Sequence, residues 1–183
     1  MPANPCRDFF ALNATNRDFV KGLQKTPNPV AWETLSASDH SPGPVQPGEL
    51  LYRQVMHPIH VDVETRSLKP TAFDDAANKG LSVERLSHVA LADIQQAGRD
   101  RAAAQRKLGV SHADRKLHAV AELSADEIRA ILDENQQRGF AIFDTANCEN
   151  RAHADICQVV STRKSGRSVR SQLIEAVRSL IEE

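Results

Sequence analysis

Apolar positions in the later three-quarters of the chain fall into short runs, and their period changes from run to run. Leu50–Met56 and Ile59–Val63 both have strand character. In the second, Ile59, Val61 and Val63 alternate with His60, Asp62 and Glu64, the two-residue period of a sheet with one wet face. Pro58 between them predicts a bent or edge pair rather than one long strand. Leu81–Leu86 alternates as well, although a helix start after Gly80 fits the same residues. Ala90–Leu108 predicts a helix with an apolar stripe of Leu91, Ile94, Ala97, Ala102, Ala104 and Leu108, stopped by Gly109. Leu117–Leu123 predicts a strand. Ser124 and Glu127 form the ends of a capping box that opens a helix to about Gln137. Phe140–Phe143 and His153–Val160 predict two further strands, and Ser168–Ile181 a closing amphipathic helix. Strands thus come before, between and after helices without a clean βαβ repeat. The expected fold is α+β: a curved, mostly antiparallel sheet packed by about three helices.

The N-terminal residues have a different texture. Residues 37–48 hold Pro42, Gly43, Pro44, Pro47 and Gly48, a density of rigid and permissive residues that suits neither a helix nor a central strand, so they are expected to be a linker. The domain boundaries that follow are an arm over 1–36, the linker over 37–48, and a single α+β domain over 49–183. Four of the eight aromatic residues (Phe9, Phe10, Phe19 and Trp32) lie in the arm, where Asn16 can cap a short helix carrying Phe19, Val20 and Leu23. A separate helical arm with this much apolar surface is expected to dock on a protein partner or a second copy of the chain; the alternative is that it packs back on its own domain.

Composition narrows the class without naming a function. With 183 residues, 40% of them hydrophobic and 26% charged, the chain is an ordinary globular one with room for one core. A net charge of -1 gives no global pull toward nucleic acid or anionic lipid, so a nucleic-acid surface would have to be a local patch. Three scattered cysteines, Cys6, Cys148 and Cys157, give no disulfide framework. No apolar stretch of signal length follows Met1 and no run is long enough to span a membrane, so the expected location is the cytoplasm, with no membrane partner.

Three constellations carry candidate chemistry. Arg53, His57 and His60 lie within one strand–turn–strand. Arg53 and His57, four apart, are expected to share a face while Pro58 turns His60 elsewhere. A bidentate donor beside a group titrating near neutrality suits recognition of phosphate or carboxylate with proton transfer. Asp144, Cys148, Asn150, His153, Asp155 and Cys157 form a second cluster. Cys148, His153 and Cys157 resemble the latter half of a zinc knuckle but lack the opening cysteine pair. His112 or His118 would have to complete a site, so no metal is expected, and no cofactor. Two basic stretches, Arg99–Lys116 and Arg163, Lys164, Arg167 and Arg170, would bind nucleic acid or an acidic protein face if they converge.

The segments Leu51-Tyr52-Arg53-Gln54-Val55-Met56-His57-Pro58, Ala72-Phe73, Leu81-Ser82-Val83 and Asn150-Arg151-Ala152-His153-Ala154 resemble a family of small, uncharacterised bacterial proteins. The resemblance covers roughly residues 50–160, implies no activity, and singles out Arg53, His57, Phe73, Ser82, Asn150 and His153. The Leu-Tyr-Arg opening strand followed by serines is also similar to ADP-ribosyltransferase-like toxins, without a position matching that family's glycine-rich nicotinamide pocket or catalytic glutamate. Three functional expectations follow. The first is a non-catalytic interaction or regulatory protein that binds a protein partner or itself through Phe9, Phe10, Phe19 and Trp32. The second is an enzyme, ADP-ribosyltransferase-like or a hydrolase, acting on a phosphate-bearing or nucleotide substrate through Arg53 with His57 or His153. The third is nucleic-acid binding through patches that include Arg163, Lys164 and Arg167.

Overall fold

The computed structural model describes residues 3–109, 113–161 and 163–182; the side chains of residues 70 and 163–168 lie outside that description. Six strands form one open antiparallel sheet: β1 Leu50–His57, β2 Leu81–Arg85, β3 Lys116–Ser124, β4 Phe140–Phe143, β5 His153–Gln158 and β6 Ser179–Glu182, in the order β4-β5-β2-β1-β3-β6. Among the described residues five α-helices accompany them: α1 Pro5–Leu12, α2 Phe19–Leu23, α3 Leu91–Arg106, α4 Ala125–Ala130 and α5 Arg163–Glu175. There are also 3-10 helices over Pro29–Thr34 and Pro70–Ala77. The α+β class is as expected. Among the described residues no helix is long and apolar enough to cross a membrane.

Alternation along the strands sorts side chains onto two faces. On one face Leu51, Leu81, Val83, Leu123, Phe140, Ile142 and Ile156 meet α4, α5 and the second 3-10 helix in the largest apolar cluster. The other face is covered in two separate pieces. Over β1 and β3 lies α3, whose buried stripe is Ile94, Gly98 and Ala102, one residue every helical turn. Gly98 is where the helix comes closest: a Cβ there would sit 2.8 Å from a Leu117 methyl. Over β4 and β5 lies the N-terminal arm. Cys6, Phe19, Val20 and Leu23 are buried against Ala141, Phe143 and Cys157, with Phe9, Phe10 and Trp32 half-buried around them. Phe10 stacks at 5.1 Å from Phe143 and 5.4 Å from Phe19. Fully burying one such side chain stabilises by roughly 1.5–3 kcal/mol, so this contact is a second core rather than a loose attachment.

The arm is helical, but it is not held apart. The Pro/Gly segment expected as a tether is tied down along its length. The Ala37 amide donates to Asp144 Oδ1 at 2.8 Å, and Arg85 donates to the Gly43 carbonyl at 2.6 Å and to Glu49 at 2.7 Å. Arg129 donates to the Val45 carbonyl at 2.7 Å.

Three expected elements change. Ile59–Val63 is a turn, not a strand: the Asp62 side chain accepts from the amides of Glu64 and Thr65, and Val61 bridges only to Leu68. The helix after Ser124 ends at Ala130, because Asp133 takes the amides of Asn135 and Gln137 into a tight loop. Ser124 makes no cap and instead pairs with Leu50 as the last residue of β3. The expected closing helix Ser168–Ile181 splits: α5 stops at Glu175 and residues 179–182 become β6, with Leu180 opposite Ala121 and Ile181 opposite Val120. An open sheet edge overrides helical periodicity at that point, which local pattern alone does not reveal.

Candidate functional site

Between α3 and the arm one strip of the sheet stays uncovered, and its residues are polar. A notch of about 180 Å³ is lined by Tyr52, Arg53 and Gln54 from β1, Ser82 and Glu84 from β2, Arg101 from α3, Asn147 and Asn150 from the β4–β5 loop, and His153 from β5. A larger groove of about 790 Å³ adjoins it beneath the arm and shares Ser82, Asn147 and His153 with it.

Arg53 owes its position to an interrupted ladder. β1 pairs with β2 at Leu51↔Arg85 and Tyr52↔Glu84, after which the strands part. The Arg53 side chain leaves β1 on the face of Leu51, toward Asp75 of the second 3-10 helix, and at this opening between the strands its guanidinium donates to the Ser82 carbonyl at 3.0 Å. Its side chain is only 8% exposed, yet among the described residues the carboxylate within 4 Å is Asp75 alone, at 3.6 Å, and Nε has no hydrogen-bond acceptor. Burial works against its charge, with Asp75 and Asp155 in its favour and Arg101 against. A buried cation so weakly compensated is a standing attraction for an anion. Gln54 beside it anchors to the Ile94 carbonyl through Nε2 and leaves Oε1 without a donor.

His153 is oriented by a relay. The Thr145 hydroxyl donates to Asp155 Oδ2 at 2.7 Å, which uses its single proton; the carboxylate can only accept. Thr145 Oγ1, 2.9 Å from His153 Nδ1, must therefore accept from it, and the Thr145 carbonyl 3.2 Å from the same nitrogen makes the same demand. Nδ1 carries the proton, and in the neutral ring Nε2 is the acceptor. Asp155 also accepts from Ser82 Oγ at 3.3 Å and sits 3.9 Å from Nε2 through Oδ1. The Glu84 carboxylate is oriented by Asn150, whose amide nitrogen lies 2.9 and 3.0 Å from its two oxygens.

The histidines of the β1 turn exchange the roles expected of them. His57 does not share the notch with Arg53. It lines a separate cleft of about 420 Å³ with Asp62, Arg66, Lys116 and His118. The register shift opposite Val55/Met56 places the extra residue, His118, on β3 and leaves β1 alternating, so what separates His57 from Arg53 is its place at the strand's end beside the 58–66 turn. His60 folds back instead: its Nδ1 accepts from the Met56 amide at 3.1 Å, and burial together with Arg53 pushes its pKa down to about 4, so it is a neutral structural ring. Arg53 and His153, far apart in sequence, do meet in one notch.

The remaining expected site residues divide. Phe9, Phe10, Phe19 and Trp32 pack on their own sheet, which uses much of the surface expected to dock a partner; Phe10 and Phe19 also line the groove. Arg163, Lys164 and Arg167 have side chains outside the described residues, as does His112 altogether. In the other basic stretch, Arg106 donates to the Arg115 carbonyl and Arg115 to Gln105. Among the described residues no three His, Cys, Asp or Glu side chains are placed to hold a metal ion. Cys157 is buried and Cys148 exposed, and burial pushes the Cys157 thiol well up, away from the reactive thiolate. Thr145 and Glu84 were not singled out from the sequence, and Arg101 was marked only as part of the basic stretch Arg99–Lys116. Phe143 is the residue opposite Asp155 in the β4–β5 pairing, and Thr145, two residues past the end of β4, reaches Asp155 from the loop, a relation visible only once β4 and β5 are paired.

Protein-family models, curated proteins and solved structures were all compared with the chain, and none matches it.

Proposed function

We propose that the notch binds a phosphate-bearing small molecule and that His153 moves a proton on the bound group. The observation that carries this reading is the meeting of two differently prepared residues. Arg53 is a buried, under-compensated cation, and His153 has its Nδ1 proton fixed by Thr145 so that Nε2 is the reactive nitrogen. Arg101 adds a second guanidinium at the rim, and a guanidinium fork matches phosphate geometry. Glu84, held by Asn150, offers acceptors to hydroxyls of the same molecule. In this reading Arg53 and Arg101 hold the anion, Nε2 takes or returns the proton, and Asp155 stabilises the charged ring through Thr145. The packing of the aromatic arm on its own sheet favours this reading over docking of the arm on a partner.

Titration of inorganic phosphate into the full chain, followed through the ring nitrogens of His153 by NMR, tests it. Saturable shifts at His153 that weaken about tenfold in Arg101→Glu are expected; Arg101 is exposed, so the fold tolerates the change. A His153 spectrum indifferent to phosphate would overturn the reading.

A further inference from the structure

The polar notch is not the whole of the concavity. At about 180 Å³ it falls below the ~300–1,000 Å³ typical of small-molecule sites, whereas the groove it opens into, at about 790 Å³, lies within that range. The two are chemically unlike. The notch is lined by cationic side chains (Arg53, mostly buried, and the exposed Arg101) beside the Glu84 carboxylate, while the Gln54 amide is buried beneath α3. The groove is lined by Phe10 and Ala11, by the nearly buried Phe19, Ala37 and Ala146, and by polar and charged side chains that include Arg7, Arg17, Asp39 and Lys79. His153 stands where they join.

We infer that the ligand is a nucleoside phosphate, with its phosphate and ribose in the notch and its base in the groove under the N-terminal arm. This rests on the notch reading above and extends it. Acceptors beside the arginines would be a handicap for a bare phosphate and an asset for one carrying hydroxyls: the phosphate takes Arg53 and Arg101, and the ribose hydroxyls donate to Glu84. A planar heterocycle then suits the wall beyond His153, since its face packs on Phe10 while its edge meets the polar side chains of the rim. The arm is on this account half of the binding site. It is held there by Phe10 against Phe143 at 5.1 Å and by the Val20 amide, which donates to the Asn78 carbonyl at 3.0 Å.

The test is a ladder of probes on the full chain: inorganic phosphate, ribose 5-phosphate and AMP, measured by calorimetry. Affinity is expected to rise at each step, with the base adding about fivefold or more, the least that one well-packed base contributes. Ala14→Trp fills the groove from an exposed position and should lower AMP affinity to that of ribose 5-phosphate while leaving ribose 5-phosphate unchanged. In the unmodified chain, magnetisation should transfer between the adenine protons and the Phe10 ring. If AMP binds no tighter than ribose 5-phosphate, or if Ala14→Trp leaves it untouched, the groove is not part of the site and the nucleoside assignment falls while the notch reading stands. If none of the three probes binds, the notch reading falls with it.

Discussion

Gly80 couples the fold to the site, and replacing it with alanine tests both at once. Its φ is +80°, in the left-handed region, and a Cβ there would sit 2.9 Å from both Cβ and Cγ of Asp155. The backbone strain for an L-residue costs about 1–2 kcal/mol. The overlap adds roughly 1–3 kcal/mol, because one of the crowded atoms is Asp155 Cβ, which side-chain rotation does not move. Gly48 is a matched control: its φ is +77° and a Cβ there meets nothing within 4 Å. Gly48→Ala should therefore cost the strain alone, and Gly80→Ala the strain plus the displacement of Asp155. In urea unfolding the expected excess is about 1–3 kcal/mol. The second readout is local. Asp155 holds Thr145, and Thr145 holds the His153 Nδ1 proton, so ring-nitrogen shifts of His153 should lose their single-tautomer signature in Gly80→Ala only. Equal costs for the two variants with an unchanged His153 spectrum would refute the idea that Gly80 seats the relay.

Two further outcomes are expected. His60 has its folded pKa depressed to about 4 against an ordinary 6.5, so between those values the unfolded chain takes up a proton that the folded one refuses. Stability should be flat above pH 6.5 and fall by about 2 kcal/mol from there to pH 5, with His88 and His118, also lowered, adding in the same direction. His60→Gln should flatten most of that slope in urea titrations across the range, and an unaltered slope would contradict the assignment. Removing residues 1–36 should not leave an intact domain. It uncovers Ala141, Phe143 and Cys157, so the truncated chain is expected to bind hydrophobic dye and lose cooperative unfolding, whereas a cooperative truncated chain would show the arm to be dispensable.

What could be read from the sequence followed the strength of local periodicity. β1, α3, β3 and β4 come out within a residue or two of their expected bounds, because each has a clear period and a turn residue or polar run at its ends. Ile59–Val63 alternates just as well, yet the Asp62 side chain satisfies the local amides, and no sheet edge receives it. Residues 179–182 had the opposite history: a helical stripe captured by the free edge of β3. At the site, Arg53 and His153 were legible as residue types suited to anion binding and proton transfer. Their meeting depends on β2 lying between β1 and β5 and on β1 parting from β2 after Tyr52, which no short-range pattern encodes. Thr145 had no signal at all, being an ordinary threonine after a strand. The arm's aromatic residues were correctly marked as apolar contact surface, but a sequence does not say whether the complementary surface belongs to the same chain or another.

One carboxylate in the arm has a reach beyond its own neighbourhood. Glu33 accepts from the backbone amide of Ile142, which points outward from β4 at the margin of the sheet, and it also pairs with Arg138 at 2.5 Å. A strand at such a margin would otherwise offer its amides to any extended peptide nearby. Glu33 occupies that position with a charge from the chain's own N-terminal arm, which takes the Ile142 amide out of reach of a second strand. The amide at this margin is thus closed by a residue more than a hundred positions away from the strand it guards.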